Sequence, residues 1–247
     1  MASEYIVELI LSTVAALIAL SVHEFSHAFA ADKLGDHTAR SLGRLSINPI
    51  KHLDPFGTLC MIFFHFGWAR PVPINPRYFK KPTRDFAITA LAGPLSNIIL
   101  GFFSALLYLI CINHFRLTDN VFLNNLMQNT VLFIFLFHII NIGLGIFNLL
   151  PIPPFDGSRI INVVLPRKIY FGIMKYERYI YWGVIAWLLL GTNVYQMLIS
   201  IDFIASSEAL STIARIFSLS DLISDAISGV SKLMLKVWSI LPGLYYY

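Results

Sequence analysis

Residues 23 to 27 read His-Glu-Phe-Ser-His, inside an apolar run with no charge from Leu9 to Val22 that continues through Ala28 to Ala31. On a helix, residues four apart share a face, so His23 and His27 project their imidazoles the same way. Two nitrogens at that spacing can reach one metal ion. Glu24 is offset around the helix, close enough to touch a water on the metal without being a ligand. This is the HExxH arrangement: two His on zinc and a Glu as general base. An ordinary helix can carry the same letters by chance. Here the surroundings decide, because ionisable groups at membrane depth are costly and functional by default. The motif therefore predicts a metal held by His23 and His27, with Glu24 catalytic.

The rest of the chain fits a membrane setting. Of 247 residues, 57% are hydrophobic and only 13% charged, against about 25% charged in ordinary soluble proteins. Apolar runs over 5–31, 86–112, 129–150 and 179–201 are each long enough to span a bilayer. Between the first two lies a polar, turn-rich stretch, 32–85, and 113–128 reads as a short polar connection. Within 32–85, Thr58 to Trp68 is apolar and aromatic but too short to span as a helix, so a β-hairpin or re-entrant loop is expected there. From Leu219 to Leu241 apolar residues recur at three and four, with Ser, Asp and Lys opposite them. This is an amphipathic helix expected along the outer interface or over the outer end of the bundle, and not a fifth span. The fold expected is thus an all-α polytopic membrane protein. It has about four transmembrane helices, a short β-hairpin or re-entrant loop and a C-terminal amphipathic helix. Residues 1–201 form its core and 202–247 its tail.

The net charge of +4 reads as a topology signal and not as a nucleic-acid patch, since no basic cluster interleaved with aromatics is present. Lys and Arg concentrate in 32–85 and in 151–178, while 113–128 carries only Arg116. The positive-inside rule then places the N-terminus outside and both basic stretches in the cytoplasm. Cys60 and Cys111 would lie near opposite faces and should not pair.

A catalytic zinc needs a third protein ligand and an open position. His37, His52, His65, His114, His138, Asp54 and Asp156 are the candidates. Span one runs from outside to inside, which sets His23 and His27 toward the cytoplasm. Span three runs the same way and breaks at Pro151-Ile-Pro-Pro154, with Asp156 directly after. Irregular backbone at depth is tolerated only where it is buried in protein or lines a cavity. Depth therefore favours Asp156, against the plainer reading of a helix-capping Asp. His138 belongs nearer the midplane and His114 to the far side. His52 and Asp54 read best as turn chemistry ahead of Pro55, with a role beside the metal as the alternative. Asn97 and Asn148, amides inside apolar helices, either contact the substrate carbonyl and its oxyanion or bond between helices.

The motif at 23–27, together with Asn148-Leu-Leu-Pro-Ile-Pro-Pro-Phe-Asp156-Gly157, resembles the site-2 protease family of intramembrane zinc metalloproteases. The segments Asn48-Pro49 through Gly57 and Ala92-Gly93-Pro94-Leu-Ser-Asn97 are similar to those of compact prokaryotic members without PDZ or CBS domains. The resemblance covers roughly 5–200. It implies Zn2+ on His23, His27 and Asp156, with Glu24 as the base. It also implies a transmembrane protein or peptide as substrate, a multi-pass protein of the prokaryotic plasma membrane, and an active site toward the cytoplasm. Phe155 stands where Leu is usual before the Asp-Gly. An extended substrate could add to a strand edge near Gly67 to Ile74. The rival class is a transporter or metal permease using the same cluster as an ion site, although inverted repeats are not seen.

Overall fold

The computed structural model describes residues 2–64, 69–184, 186–187 and 219–246. Three helices among them are long and apolar enough to cross a membrane. These are α1 (Ala2–Lys33), α4 (Pro82–His114) and α5 (Val121–Asn148), and they pack against one another. Shorter helices connect or flank them: α2 (Thr38–Ser41), α3 (Pro55–Phe64), α6 (Gly157–Ile160) and α7 (Arg167–Lys175). The tail helix is α8 (Leu219–Trp238). Most of the expected fourth span, 179–201, lies outside the described residues.

Helix ends follow local chemistry. α4 begins at Pro82, whose missing N–H costs nothing in a first turn, and Asp85 reaches back to accept from the Lys81 N–H at 2.9 Å. α5 begins earlier than the apolar run alone indicates. Asn120 caps it by accepting from the Leu123 N–H at 3.1 Å, so half of the expected 113–128 connection is helical.

Of the stretch 58–68 expected as a β-hairpin or re-entrant loop, residues 65–68 lie outside the described residues, and the rest is helical and forms no strand. Residues 58–64 belong to α3, whose first turn is set by Asp54 accepting from the Gly57 N–H at 2.8 Å and by Pro55 at the helix start. A capping Asp followed by Pro is a helix-start signal, and it outweighed the β-prone aromatics that follow. Among the described residues the only β pairing is an isolated antiparallel bridge between Leu53 and Ala69.

The tail also departs from expectation. α8 packs against α4 and α5. Its buried Met234 and Leu235 share a core with Ala105, Leu109 and Ile142. Ser231, expected on the solvated face, is buried and donates to His138 Nε2 at 2.8 Å. Trp238 Nε1 donates to Phe102 O at 2.7 Å, and the Tyr245 N–H meets Asn113 Oδ1 at 3.2 Å. The tail thus follows α4 from mid-helix to the end of its last turn. Its hydrogen bonds to α4 and α5 are the kind that hold helices together where burial drives little association.

Candidate metal centre

The functional groups gather at one end of the bundle, where α1 ends, α4 begins and the chain leaves α5. His23 and His27 lie one turn apart on α1 and are 4% and 5% exposed. Each is held from behind by α4. His23 Nδ1 lies 2.6 Å from Asn97 Oδ1, and His27 Nδ1 donates to the Thr89 carbonyl at 2.7 Å. A carbonyl can only accept, so the His27 proton sits on Nδ1 and the Nε2 lone pair faces forward.

α4 comes this close because residue 93 is Gly. A Cβ there would fall 2.3 Å from His27 Nε2 and 2.7 Å from His23 Cε1. Any side chain at that position would displace both imidazoles.

Asp156 arrives from the other side. Pro151 cannot continue α5, and the chain folds back with Phe155 packed on Phe147, ring centroids 4.3 Å apart. Gly157 lets this turn close: a Cβ would lie 2.3 Å from both Leu149 O and Leu150 O. Asp156 stands at the N-cap position of α6, yet its side chain makes no cap hydrogen bond. Its Oδ2 instead lies 3.2 Å from His23 Nε2 and 3.2 Å from His27 Nε2, while the two Nε2 atoms are 3.0 Å apart.

The donor set fits zinc. Ligand atoms about 2.0–2.1 Å from a tetrahedral ion lie roughly 3.3 Å from one another, close to the three separations here. Two nitrogens and one carboxylate oxygen are a known catalytic set, and three protein ligands leave a fourth position.

Glu24 is 8% exposed. Its Oε2 accepts from the Val72 N–H at 2.8 Å. The segment carrying Val72 is pinned on both sides: the Arg44 guanidinium donates to Arg70 O at 2.6 Å, and the Asn75 N–H donates to the buried Asp36 at 2.6 Å. This occupies part of the strand edge expected for substrate near 67–74, of which 67 and 68 lie outside the described residues. The Arg70 N–H is spent on His52 O at 2.8 Å and the Val72 N–H on Glu24, and Pro71 and Pro73 have none. No free donor is left from Arg70 to Pro73, so a regular added strand is not available there.

The other residues singled out lie outside the ligand cluster. Asn97 is fully buried, and its amide donates to Ala19 O at 3.2 Å and to Asn141 Oδ1 at 2.9 Å. Both protons are spent, so it has no donor for an oxyanion. Asn148 donates to Leu144 O in its own helix at 3.0 Å. His52 is buried and contacts Ser46 O at 2.6 Å, and Asp54 caps helix α3 where a tight turn was expected; neither belongs to the ligand cluster. His138 sits deep in the bundle on Gly101 O and Ser231. Thr89 and Asn141 were missed in the sequence. Thr89 acts through its backbone, which no side-chain pattern reveals, whereas Asn141 was visible as one more amide in an apolar helix.

Comparison with known proteins settles the family. The model of peptidase family M50 matches residues 117–191. The relatives it resembles carry the name "Putative zinc metalloprotease". YwhC of Bacillus subtilis (strain 168) is 41% identical over 174 residues, 70% of this chain and 76% of its own. Rip2 of Mycolicibacterium smegmatis is 34% identical over 91 residues, 34% of each chain. The chain belongs to peptidase family M50. A third relative, MJ0611 of Methanocaldococcus jannaschii, is 33% identical over 111 residues, 44% of this chain and 42% of its own. No solved structure matches. As an M50 member the protein is a zinc metalloendopeptidase, and its apolar helices make it a membrane protein. The transporter alternative falls with that membership.

Proposed function

We propose that this M50 peptidase hydrolyses peptide bonds of transmembrane proteins within the bilayer, using His23, His27 and Asp156 to hold zinc and Glu24 as the base. The observation that carries the reading is the convergence of His23 Nε2, His27 Nε2 and Asp156 Oδ2 within 3.2 Å of one another. It lies in the last third of a spanning helix, with Glu24 adjacent. Zinc, when bound, supplies Lewis acidity that polarises the scissile carbonyl and makes water nucleophilic near neutral pH.

The remaining chemistry belongs to the chain. Glu24 takes a proton from the attacking water and delivers it to the leaving amine. The Val72 N–H fixes one carboxylate oxygen of Glu24, which leaves the other for this transfer. Thr89 and Asn97 hold the imidazoles so that the ligand atoms need little rearrangement. α1, α4 and the chain after α5 exclude lipid from the buried side of the site. A substrate helix must unwind before its carbonyl can reach this cluster, because helical hydrogen bonds occupy that carbonyl.

The basic residues of 32–85 and 151–178 flank the end where the cluster lies, which supports a site facing the cytoplasm across a plasma membrane. In this reading 1–201 carries the chemistry and 202–247 braces it. The test is cleavage of a model transmembrane peptide in proteoliposomes by zinc-loaded enzyme. Cleavage that stops with chelation and returns with zinc supports the proposal. Cleavage of soluble peptides alone would overturn the intramembrane part.

A further inference from the structure

We propose that Asn141 and Asn97 form a polarised amide relay that fixes the tautomer of His23 and thereby sets how tightly zinc is held. The inference rests on His23 being a zinc ligand and adds a role for two residues outside the ligand set.

The direction of the relay follows from its ends. Asn141 Nδ2 lies 2.8 Å from Phe137 O, and a backbone carbonyl can only accept. The NH2 of Asn141 is therefore committed to its own helix, and its Oδ1 must face Asn97. Asn97 then has to present its NH2 to Asn141, at 2.9 Å. The same NH2 also meets Ala19 O at 3.2 Å, a second acceptor-only partner. Two independent carbonyls thus force one amide orientation. The Asn97 oxygen is left facing His23 Nδ1 at 2.6 Å.

That oxygen can only accept, so His23 Nδ1 must donate. In a neutral imidazole the other nitrogen then carries the lone pair, and His23 Nε2 is the atom that meets His27 and Asp156. Both asparagines are fully buried, so no water can substitute for a lost partner. The relay links α1, α4 and α5, which makes a flipped Asn97 amide costly: it would set NH2 against the His23 proton and Oδ1 against both Ala19 O and Asn141 Oδ1.

Asn97 and Asn141 are positioning residues; neither reaches the reacting atoms. Partners of this kind are worth roughly 10- to 100-fold in metal affinity or activity. The experiment measures the rate at which purified, detergent-solubilised full-length protein releases zinc to a competing chelator. Wild type, Asn97→Leu, Asn141→Leu and the double variant are compared, with Ser231→Ala as a control that loses an interhelical hydrogen bond outside the relay. Asn97→Leu is expected to release zinc roughly 10- to 100-fold faster, Asn141→Leu less so, and the double variant no faster than Asn97→Leu, because Asn141 acts only through Asn97. Ser231→Ala should release zinc at the wild-type rate. Nitrogen NMR of the zinc-free protein adds a signature that interhelical bonding alone would not move. His23 should be protonated at Nδ1 in wild type and should lose that preference in Asn141→Leu, which serves even where Asn97→Leu does not fold. Wild-type release from both single variants, or additive effects in the double variant, would overturn the relay. Zinc that stays bound in His23→Ala would instead sink the ligand assignment itself.

Discussion

His23 and His138 are both buried imidazoles on membrane-crossing helices, and both rest Nδ1 against an oxygen of α4, Asn97 Oδ1 for one and Gly101 O for the other. They differ in what Nε2 meets. His23 Nε2 faces His27 and Asp156, an array of lone pairs with no donor among them. His138 Nε2 receives the Ser231 hydroxyl from the tail helix. The first arrangement is complete only with a cation. The second is complete as it stands. A buried histidine in an apolar helix is therefore ambiguous until its outward nitrogen is accounted for.

The comparison breaks most severely if the ligands are interchangeable with the structural histidine. Alanine at His23 or at Asp156 should remove zinc and abolish proteolysis, as metal analysis and cleavage of a transmembrane peptide would show. His138→Ala should keep stoichiometric zinc and lose roughly 2–4 kcal/mol of stability through its lost bonds and the cavity. Zinc loss in His138→Ala of folded protein would erase the distinction.

Two glycines on α4 sharpen it next. Gly93→Ala drives a methyl into His27 and His23, whereas Gly101→Ala crowds Ile142 Cγ1 at 2.9 Å and otherwise makes ordinary contact with Ile142 N at 3.5 Å and His138 O at 3.6 Å. Gly93→Ala should cost about 100-fold in kcat, the scale of a displacement near 1 Å in a catalytic group. Gly101→Ala should cost about 1–3 kcal/mol of stability by overpacking, with little change in activity per bound zinc. Equal activity losses in the two variants would contradict the packing assigned to each.

The smallest effect belongs to the tail. Ser231→Ala leaves His138 Nε2 without its donor and should destabilise by about 0.6–1.7 kcal/mol, the range for hydrogen bonds between membrane helices. Chemical denaturation in detergent would read it, with turnover per zinc-loaded molecule unchanged. A fall in that turnover would mean that α8 acts on the site and does more than brace α4 and α5.

What was legible in the sequence was local. His23, Glu24 and His27 stand out by spacing and Asp156 by its place after the prolines that end α5; the structure brings the two imidazoles and the carboxylate within 3.2 Å of one another, and their roles are those proposed above. The apolar runs located α1, α4 and most of α5. Two departures come from caps that outweigh hydrophobicity: Asp54-Pro55 starts helix α3 where a β-hairpin or re-entrant loop was expected, and Asn120 starts α5 inside an expected loop. Other features depend on which helices meet. Ser231 belongs to the polar stripe of an amphipathic helix, and only docking against His138 turns it inward. The partnership of Asn97 with His23 crosses 74 residues of chain, so the amide was visible and its partner was not. Likewise the prolines at 71 and 73 deny donors to the segment that lies over Glu24, an effect that shows only once that contact is known.

The central claim is that His23, His27 and Asp156 hold zinc while Glu24 moves the proton, and Glu24→Gln separates those roles within one molecule. The amide keeps the size of the side chain and can still accept from the Val72 N–H, but it cannot act as a base. Zinc content and cleavage of a transmembrane peptide should be measured on the same purified sample. The account predicts stoichiometric zinc with proteolysis reduced at least about 100-fold, the low end for loss of a general base. A variant that loses its zinc, or that keeps its zinc and cleaves at the wild-type rate, would contradict it.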